Sequence, residues 1–163
     1  MINFIVNFFV SLLFKEEYAT EVSEKGVEFI KRWEGLSLCR YKDVAGHWTI
    51  GYGHLIRLED EQWIGECITQ DEANGLLRGD LLIPEKTLEK YQLSQHQFDA
   101  CASLIFNIGV GAFERSTLAM HLRNKNYVTA ALEFERWVHV GGKRIKGLVN
   151  RRNEEKAMFL GLR

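Results

Sequence analysis

The chain has 163 residues, of which 46% are hydrophobic and 26% charged, and its formal net charge is −1. This length and hydrophobic fraction suit one domain with a substantial core, and the single proline argues against a flexible linker between independent modules. The near-zero net charge excludes an overall attraction to nucleic acids or to anionic membranes. We therefore expect no nucleic-acid partner.

The first fourteen residues are mostly apolar, and Asn3, Asn7 and Ser11 recur there at every fourth position. This spacing predicts a helix with a narrow polar stripe. Fourteen helical residues rise about 21 Å, less than the ~30 Å hydrocarbon core of a bilayer. Three interpretations stay open: a helix docked on the protein itself, a weak and releasable membrane anchor, or a partner-binding helix. We assign residues 1–20 to this unit and residues 21–163 to the main domain.

A helix followed by a small sheet is predicted next. Apolar residues at helical spacing predict a helix over residues 21–33, with Gly35 as its stop. Residues 36–58 are rich in aromatic residues and are punctuated by glycines, which predicts a small, twisted antiparallel sheet.

The remainder of the chain is predicted to be mostly helical. Capping boxes start helices at Thr69 and at Ser94, and we expect Pro84 to interrupt the first of these helices just after Leu82. Gly109 ends the second helix. Three further helices are expected over residues 117–124, 127–139 and 148–161. The chain therefore belongs to the α+β class.

Positive charge is concentrated near the carboxyl terminus. The eight basic residues there are Arg136, Lys143, Arg144, Lys146, Arg151, Arg152, Lys156 and Arg163, against only Glu154 and Glu155. Two interpretations are open: a solvated helix face, or attraction to an anionic polymer such as a bacterial wall strand.

The three cysteines, Cys39, Cys67 and Cys101, are widely spaced and show no metal-ligand pattern. An odd number excludes a fully paired set of intramolecular disulfides. We interpret them as free thiols, with Cys101 in the core, and treat a regulatory disulfide at Cys39 as a remote alternative.

Two carboxylic acids and a hydroxyl stand at a spacing that suits glycosidic bond cleavage. Glu34 is expected in the last turn of its helix, where backbone carbonyls disfavour a second negative charge, and the neighbouring Trp33 and Leu36 could add an apolar wall. Asp43 lies in a polar turn and should stay ionised. A protonated acid opposite an ionised acid is the arrangement glycosidases use, and Thr49 could share the attacking water with Asp43.

The run from Trp33 to His54 closely resembles the active-site signature of the phage-type lysozymes, the muramidase endolysins that open bacterial walls. The motif stands here as Glu34-Gly35, Tyr41-Lys42-Asp43 and Thr49-Ile50-Gly51-Tyr52-Gly53-His54. The similarity continues over residues 104–113, at Ser116-Thr117-Leu118 and over residues 137–152, so that it covers about residues 22–160.

The resemblance implies a lysozyme-like fold with a small antiparallel β lobe and a larger helical lobe. It implies that Glu34 is the general acid and that Asp43 and Thr49 hold the nucleophilic water. The implied reaction is hydrolysis of the β-1,4 bond between N-acetylmuramic acid and N-acetylglucosamine in peptidoglycan, with inversion. Gly53 and Asn107 are then expected to contact the substrate.

The resemblance also implies that His54 pairs with an acid on the following long helix. Asp80 is the best candidate by position, and we expect this pair to support the fold rather than the reaction. The histidines show no ligand motif such as H-E-x-x-H, so we expect neither a metal nor an organic cofactor.

The amino-terminal extension resembles that of the signal-anchor-release endolysins. In that interpretation the enzyme is made in the host cytoplasm, is tethered transiently to the inner membrane through residues 1–14, and acts in the periplasm. Its partner would be the glycan strands of peptidoglycan, and we expect a monomer. Two alternative functions are kept: a wall-binding module without turnover, and a lytic transglycosylase that needs only the acid at Glu34.

Overall fold

The computed structural model describes residues 18–43 and 45–162, so the predictions for residues 1–14 lie outside the described part of the chain. Seven α-helices lie within the described residues: α1 Glu24–Glu34, α2 Gln70–Leu88, α3 Gln95–Ile108, α4 Val110–Glu114, α5 Thr117–Arg123, α6 Tyr127–Glu133 and α7 Lys146–Phe159. The strands are β1 Ser37–Lys42, β2 Trp48–Gly51, β3 His54–Leu55, β4 His139–Val140 and β5 Lys143–Arg144, and 3-10 turns cover Glu89–Tyr91 and Phe134–Arg136. This is the predicted α+β arrangement, a small sheet beside a larger helical lobe.

Helix α1 has well-defined ends. The Ser23 hydroxyl caps its start by accepting a hydrogen bond from the Gly26 N–H. Gly35 ends it with a φ of 72°, a left-handed conformation that glycine adopts without a Cβ penalty, and its N–H donates to the Lys31 carbonyl. The chain therefore turns directly from α1 into β1, and Glu34 stands where the helix meets the sheet.

The predicted sheet is present as three antiparallel strands in the order β1-β2-β3. Tyr41 pairs with Thr49 across β1 and β2, and Ile50 pairs with His54 across β2 and β3. The candidate residues of this region thus lie on neighbouring strands and on the turns that join them.

The expectation that Pro84 interrupts its helix is wrong. Helix α2 runs without a break from Gln70 to Leu88 and begins with the predicted capping box between Thr69 and Glu72. Proline removes one backbone donor, yet Pro84 is buried on the core side of α2, together with Leu81 and Leu88. Burial of this apolar face stabilises the helix even though one backbone hydrogen bond is missing at Pro84.

The predicted helix over residues 127–139 is too long. It ends at Glu133, and His139 lies instead in a β-hairpin formed by β4 and β5. Gly141 and Gly142 both have positive φ, 55° and 77°, which is the backbone conformation of a two-residue hairpin turn. The last helix starts directly after this hairpin, at Lys146.

The cysteine interpretation is wrong for two of the three residues. Cys39 and Cys67 form a disulfide across 28 positions, whereas Cys101 is a free, buried thiol as predicted. An isolated antiparallel bridge places Cys39 of β1 opposite Cys67, and spacing along the sequence does not reveal this proximity. Burial raises the pKa of the Cys101 thiol well above its ordinary value.

Helix α3 is the central element of the helical lobe. It is buried continuously from Phe98 to Ile105 and packs against α1, α2 and α7. Helices α1 and α7 are therefore fixed against one common element, which positions the end of α1 relative to side chains of α7. None of the helices in the described ranges is long and apolar enough to cross a membrane.

Candidate active site

Glu34 is the last residue of α1, and its side chain is 19% exposed. The carboxylate Oε1 accepts a hydrogen bond of 2.7 Å from Arg151 Nη1 of α7. The expected apolar wall is not the main contact, since Leu36 is 41% exposed and the group held against Glu34 is a guanidinium. The cation fixes the orientation of this carboxyl group at the carbonyl end of α1.

Asp43 follows β1 and occupies a polar turn, as predicted. Its Oδ1 accepts hydrogen bonds of 2.9 Å from the N–H groups of Ala45 and His47. The hydrogen bond from the His47 N–H is the largest of the effects that lower the pKa of Asp43 below its ordinary value. This carboxylate is ionised at neutral pH and is partly open to solvent, with 34% of its side chain exposed.

Thr49 lies on β2 and is only 4% exposed. Its hydroxyl donates a hydrogen bond of 3.3 Å to the carbonyl of His47, the residue whose N–H contacts Asp43. The main chain of His47 therefore connects to both side chains. The structure brings Asp43 and Thr49 together through this one peptide segment.

Gly53 lies against the carboxylate of Glu34. A Cβ at this position, where φ is 86°, would lie 3.9 Å from Glu34 Oε2. Gly53 follows β2, so Glu34 faces the turn after the strand that carries Thr49. Asn107, at the end of α3, accepts a hydrogen bond of 3.1 Å from Arg152 Nη1. That Gly53 and Asn107 bind substrate remains a prediction.

Neither interpretation of the basic carboxy-terminal residues holds for Arg151 and Arg152. Both are buried, at 3% and 0% exposure, so they neither form a solvated face nor present free charge to a polymer. Arg151 was missed as a site residue. Glu155 follows Arg151 by four positions and Arg152 by three, which places opposite charges on one helix face. This spacing could have indicated an internal ion-pair cluster.

The comparisons with known proteins decide the family. The family model for phage lysozyme matches residues 31–155. The chain belongs to the phage lysozyme family. The endolysin of Acyrthosiphon pisum secondary endosymbiont phage 1 is 46% identical over 145 residues, which cover 85% of this chain and 97% of that relative.

Two further relatives of this phage lysozyme are a SAR-endolysin and a solved muramidase domain. The SAR-endolysin of Enterobacteria phage P21 is 32% identical over 130 residues, covering 78% of this chain and 77% of the relative. The solved muramidase domain of SpmX from Asticaccaulis excentricus is 34% identical with a TM-score of 0.76, covering 86% of this chain and 97% of the domain. The resemblance to phage-type lysozymes is thus confirmed, and the protein is a peptidoglycan-hydrolysing endolysin with a lysozyme fold.

His54 of the phage lysozyme lies between two carboxylates. Its Nδ1 is 2.9 Å from Asp80 Oδ2 of α2, and its Nε2 is 3.6 Å from Asp60 Oδ2. The hydrogen bond with Asp80 is the largest cause that raises the pKa of His54 above its ordinary value, and burial opposes it. The pair joins β3 to α2, and its supporting role remains a prediction.

The pair of His54 and Asp80 should make the free energy of unfolding depend on pH. Because folding raises the pKa of His54, its contribution is fully present below the unfolded pKa of about 6.5 and is lost as pH rises through the folded pKa. We expect Asp80→Asn to lower the free energy of unfolding by about 1 to 3 kcal/mol on the acidic side of this window, and by less on the alkaline side. Urea unfolding at one pH below the unfolded pKa of His54 and at one pH above its folded pKa measures the difference.

Asp71→Asn is the matched control, because Asp71 is an exposed carboxylate on the same helix. The effect of this substitution on the free energy of unfolding should be the same at both pH values. An equal loss of stability for Asp80→Asn at both pH values would contradict the protonated pair.

No group of three His, Cys, Asp or Glu side chains that could hold a metal ion occurs among residues 18–43 and 45–162.

Proposed function

We propose that this endolysin is an N-acetylmuramidase that hydrolyses the β-1,4 bond between N-acetylmuramic acid and N-acetylglucosamine. The observation that carries the proposal is the different surroundings of its two acids. Glu34 is a largely shielded carboxyl at a helix end, whereas Asp43 is a partly solvated carboxylate held by two backbone N–H groups. The similarity to the muramidase domain of SpmX supports this choice of bond.

In the proposed reaction Glu34 donates a proton to the leaving glycosidic oxygen. Arg151 holds the Glu34 carboxyl group in one orientation, and the donated proton comes from the unpaired side of that group. Asp43 and Thr49 position a water on the opposite face of the sugar, and Asp43 accepts its proton as the new C–O bond forms. Attack from that face inverts the configuration at the anomeric carbon.

A lytic transglycosylase is the alternative chemistry, in which the muramyl 6-hydroxyl replaces water and an anhydro sugar results. We expect digestion of purified sacculi to yield muropeptides with a reducing N-acetylmuramic acid end. Mass spectrometry decides, because an anhydro product is lighter by one water. Predominantly anhydro products would refute the hydrolase, and N-acetylglucosamine at the reducing end would refute the muramidase.

We also propose that residues 1–14 tether the enzyme transiently to the inner membrane before it acts in the periplasm. Their apolar composition and the similarity to the SAR-endolysin of phage P21 support this. Cells producing a chain that lacks residues 1–14, without a holin, should retain the enzyme in the cytoplasm. Fractionation that recovers the shortened chain in the periplasm as efficiently as the full chain would refute the tether.

A further inference from the structure

A carboxylate that the proposed reaction does not use lies inside the helical lobe. Glu155 of α7 has no exposed surface. Its Oε1 accepts hydrogen bonds from Ser103 Oγ at 2.6 Å, Arg152 Nη2 at 2.9 Å and Arg151 Nε at 3.1 Å. Its Oε2 is 2.7 Å from Arg152 Nε. Every described contact of this carboxylate is therefore with a donor buried in the same cluster.

The guanidinium of Arg151 is held at all three of its nitrogens. Nε contacts Glu155, Nη2 donates to the carbonyl and hydroxyl of Ser103 at 3.2 and 3.3 Å, and Nη1 donates to Glu34. Because a guanidinium is planar and rigid, fixing Nε and Nη2 determines where Nη1 points. The contacts of Arg151 with Glu155 and Ser103 thus set the position of its hydrogen bond to Glu34.

We propose that Glu155, together with Ser103, is a positioning residue for catalysis that fixes Arg151 against Glu34. This inference rests on the proposed role of Glu34 as the general acid. Glu155 acts through Arg151, since its described contacts are with Ser103, Arg151 and Arg152 and none is with Glu34. The same carboxylate binds Arg152, which in turn holds Asn107 at the end of α3.

Energetics favour a positioning role over a purely stabilising one. Removing a carboxylate from water costs several kcal/mol, and buried ion pairs are often no more stabilising than well-packed apolar residues of the same volume. Burial indeed raises the pKa of Glu155, and both guanidinium groups oppose this effect. A requirement to place the donor to Glu34 accurately explains such a cluster better than stability alone does.

Charge adds a second effect to geometry. Glu155 neutralises part of the positive charge of Arg151 and Arg152. Without it, both guanidinium groups would act on Glu34 uncompensated and would favour the carboxylate, which cannot donate a proton. Loss of the Glu155 charge is therefore expected to narrow the pH range of activity on its alkaline side.

Glu155→Gln tests the proposal, because glutamine keeps the size of the side chain and removes its charge. We expect kcat on purified sacculi to fall about 10- to 100-fold, with KM nearly unchanged, since a misplaced catalytic group has effects of this order. The alkaline limb of the pH–activity profile should move to lower pH. Glu155→Asp keeps the charge and should leave that limb in place.

Glu154→Gln is the matched control, because Glu154 is the preceding residue on α7 and its described ion pair is with Arg32, at the surface. It should keep wild-type kcat and pH profile. Should Glu155→Gln fail to fold, Ser103→Ala removes one hydroxyl from the cluster and should lower kcat several-fold. A folded Glu155→Gln with unchanged kcat and pH profile, or an unaffected Ser103→Ala where Glu155→Gln does not fold, would overturn the proposal. If Glu34→Gln itself remained active, the proposed function would fail first.

Discussion

Glu34→Gln is expected to abolish wall lysis, with a fall in rate of about 10²- to 10⁴-fold for the lost acid catalysis. Glutamine keeps the size of the side chain and can still accept the hydrogen bond from Arg151, but it has no proton to give to the leaving oxygen. The fold should be preserved. Clearing of permeabilised cells measures the rate, and circular dichroism with thermal unfolding checks the fold.

Glu28→Gln provides the control for this experiment. Glu28 lies on the same helix, is 66% exposed at its side chain and pairs only with Lys31 among the described residues, so its loss should leave lysis unchanged. A Glu34→Gln enzyme that clears cells at the wild-type rate would end the assignment of Glu34 as the acid. A variant that binds sacculi but no longer cleaves them would separate binding from turnover, as the assignment requires.

Reduction of the disulfide between Cys39 and Cys67 is expected to lower the free energy of unfolding by about 2 to 4 kcal/mol. The bridge closes a loop across 28 positions, and opening it returns conformational entropy to the unfolded chain. It also ties β1, which leads from Glu34 to Asp43, to the segment before α2. Backbone hydrogen bonds from Arg40 N to Glu66 O and from Ile68 N to Leu38 O flank this connection and keep the two segments adjacent after reduction.

Urea unfolding with and without reductant measures this effect. The double variant Cys39→Ser/Cys67→Ser is the control: it should match the reduced wild type, and reductant should not change it further. The buried thiol of Cys101 is present in both proteins and cancels in the comparison. Equal unfolding midpoints for the oxidised and reduced wild type would show that the bridge does not stabilise the fold.

Local sequence signals predicted the parts of the fold that depend on nearby residues. Gly35 as a helix stop and the capping boxes at Thr69 and Ser94 are present in the structure, because each depends on contacts within a few positions. The α+β class followed from the same signals. Pro84 shows their limit, since tertiary burial of α2 outweighs the local preference of proline to end a helix.

Two features that depend on contacts in the folded chain were not predicted. The disulfide of Cys39 joins segments that only the folded sheet brings together, and the burial of Arg151 depends on carboxylates of two different helices. The pattern around Glu34, Asp43 and Thr49 was recognised because it occupies one short stretch of sequence. The roles of these three residues in the reaction stay predictions that the substitutions above can test.

His47 contributes to the site mainly through its main chain and much less through its side chain. Its peptide N–H and carbonyl make the short contacts to Asp43 and Thr49, while its imidazole is 64% exposed and adds only an Nδ1 to Oδ2 contact of 3.6 Å with Asp43. Almost any substitution of this histidine should therefore leave the hydrogen bonds to Asp43 and Thr49 in place, because its main chain makes them. Proline is the exception, because it has no amide hydrogen to offer.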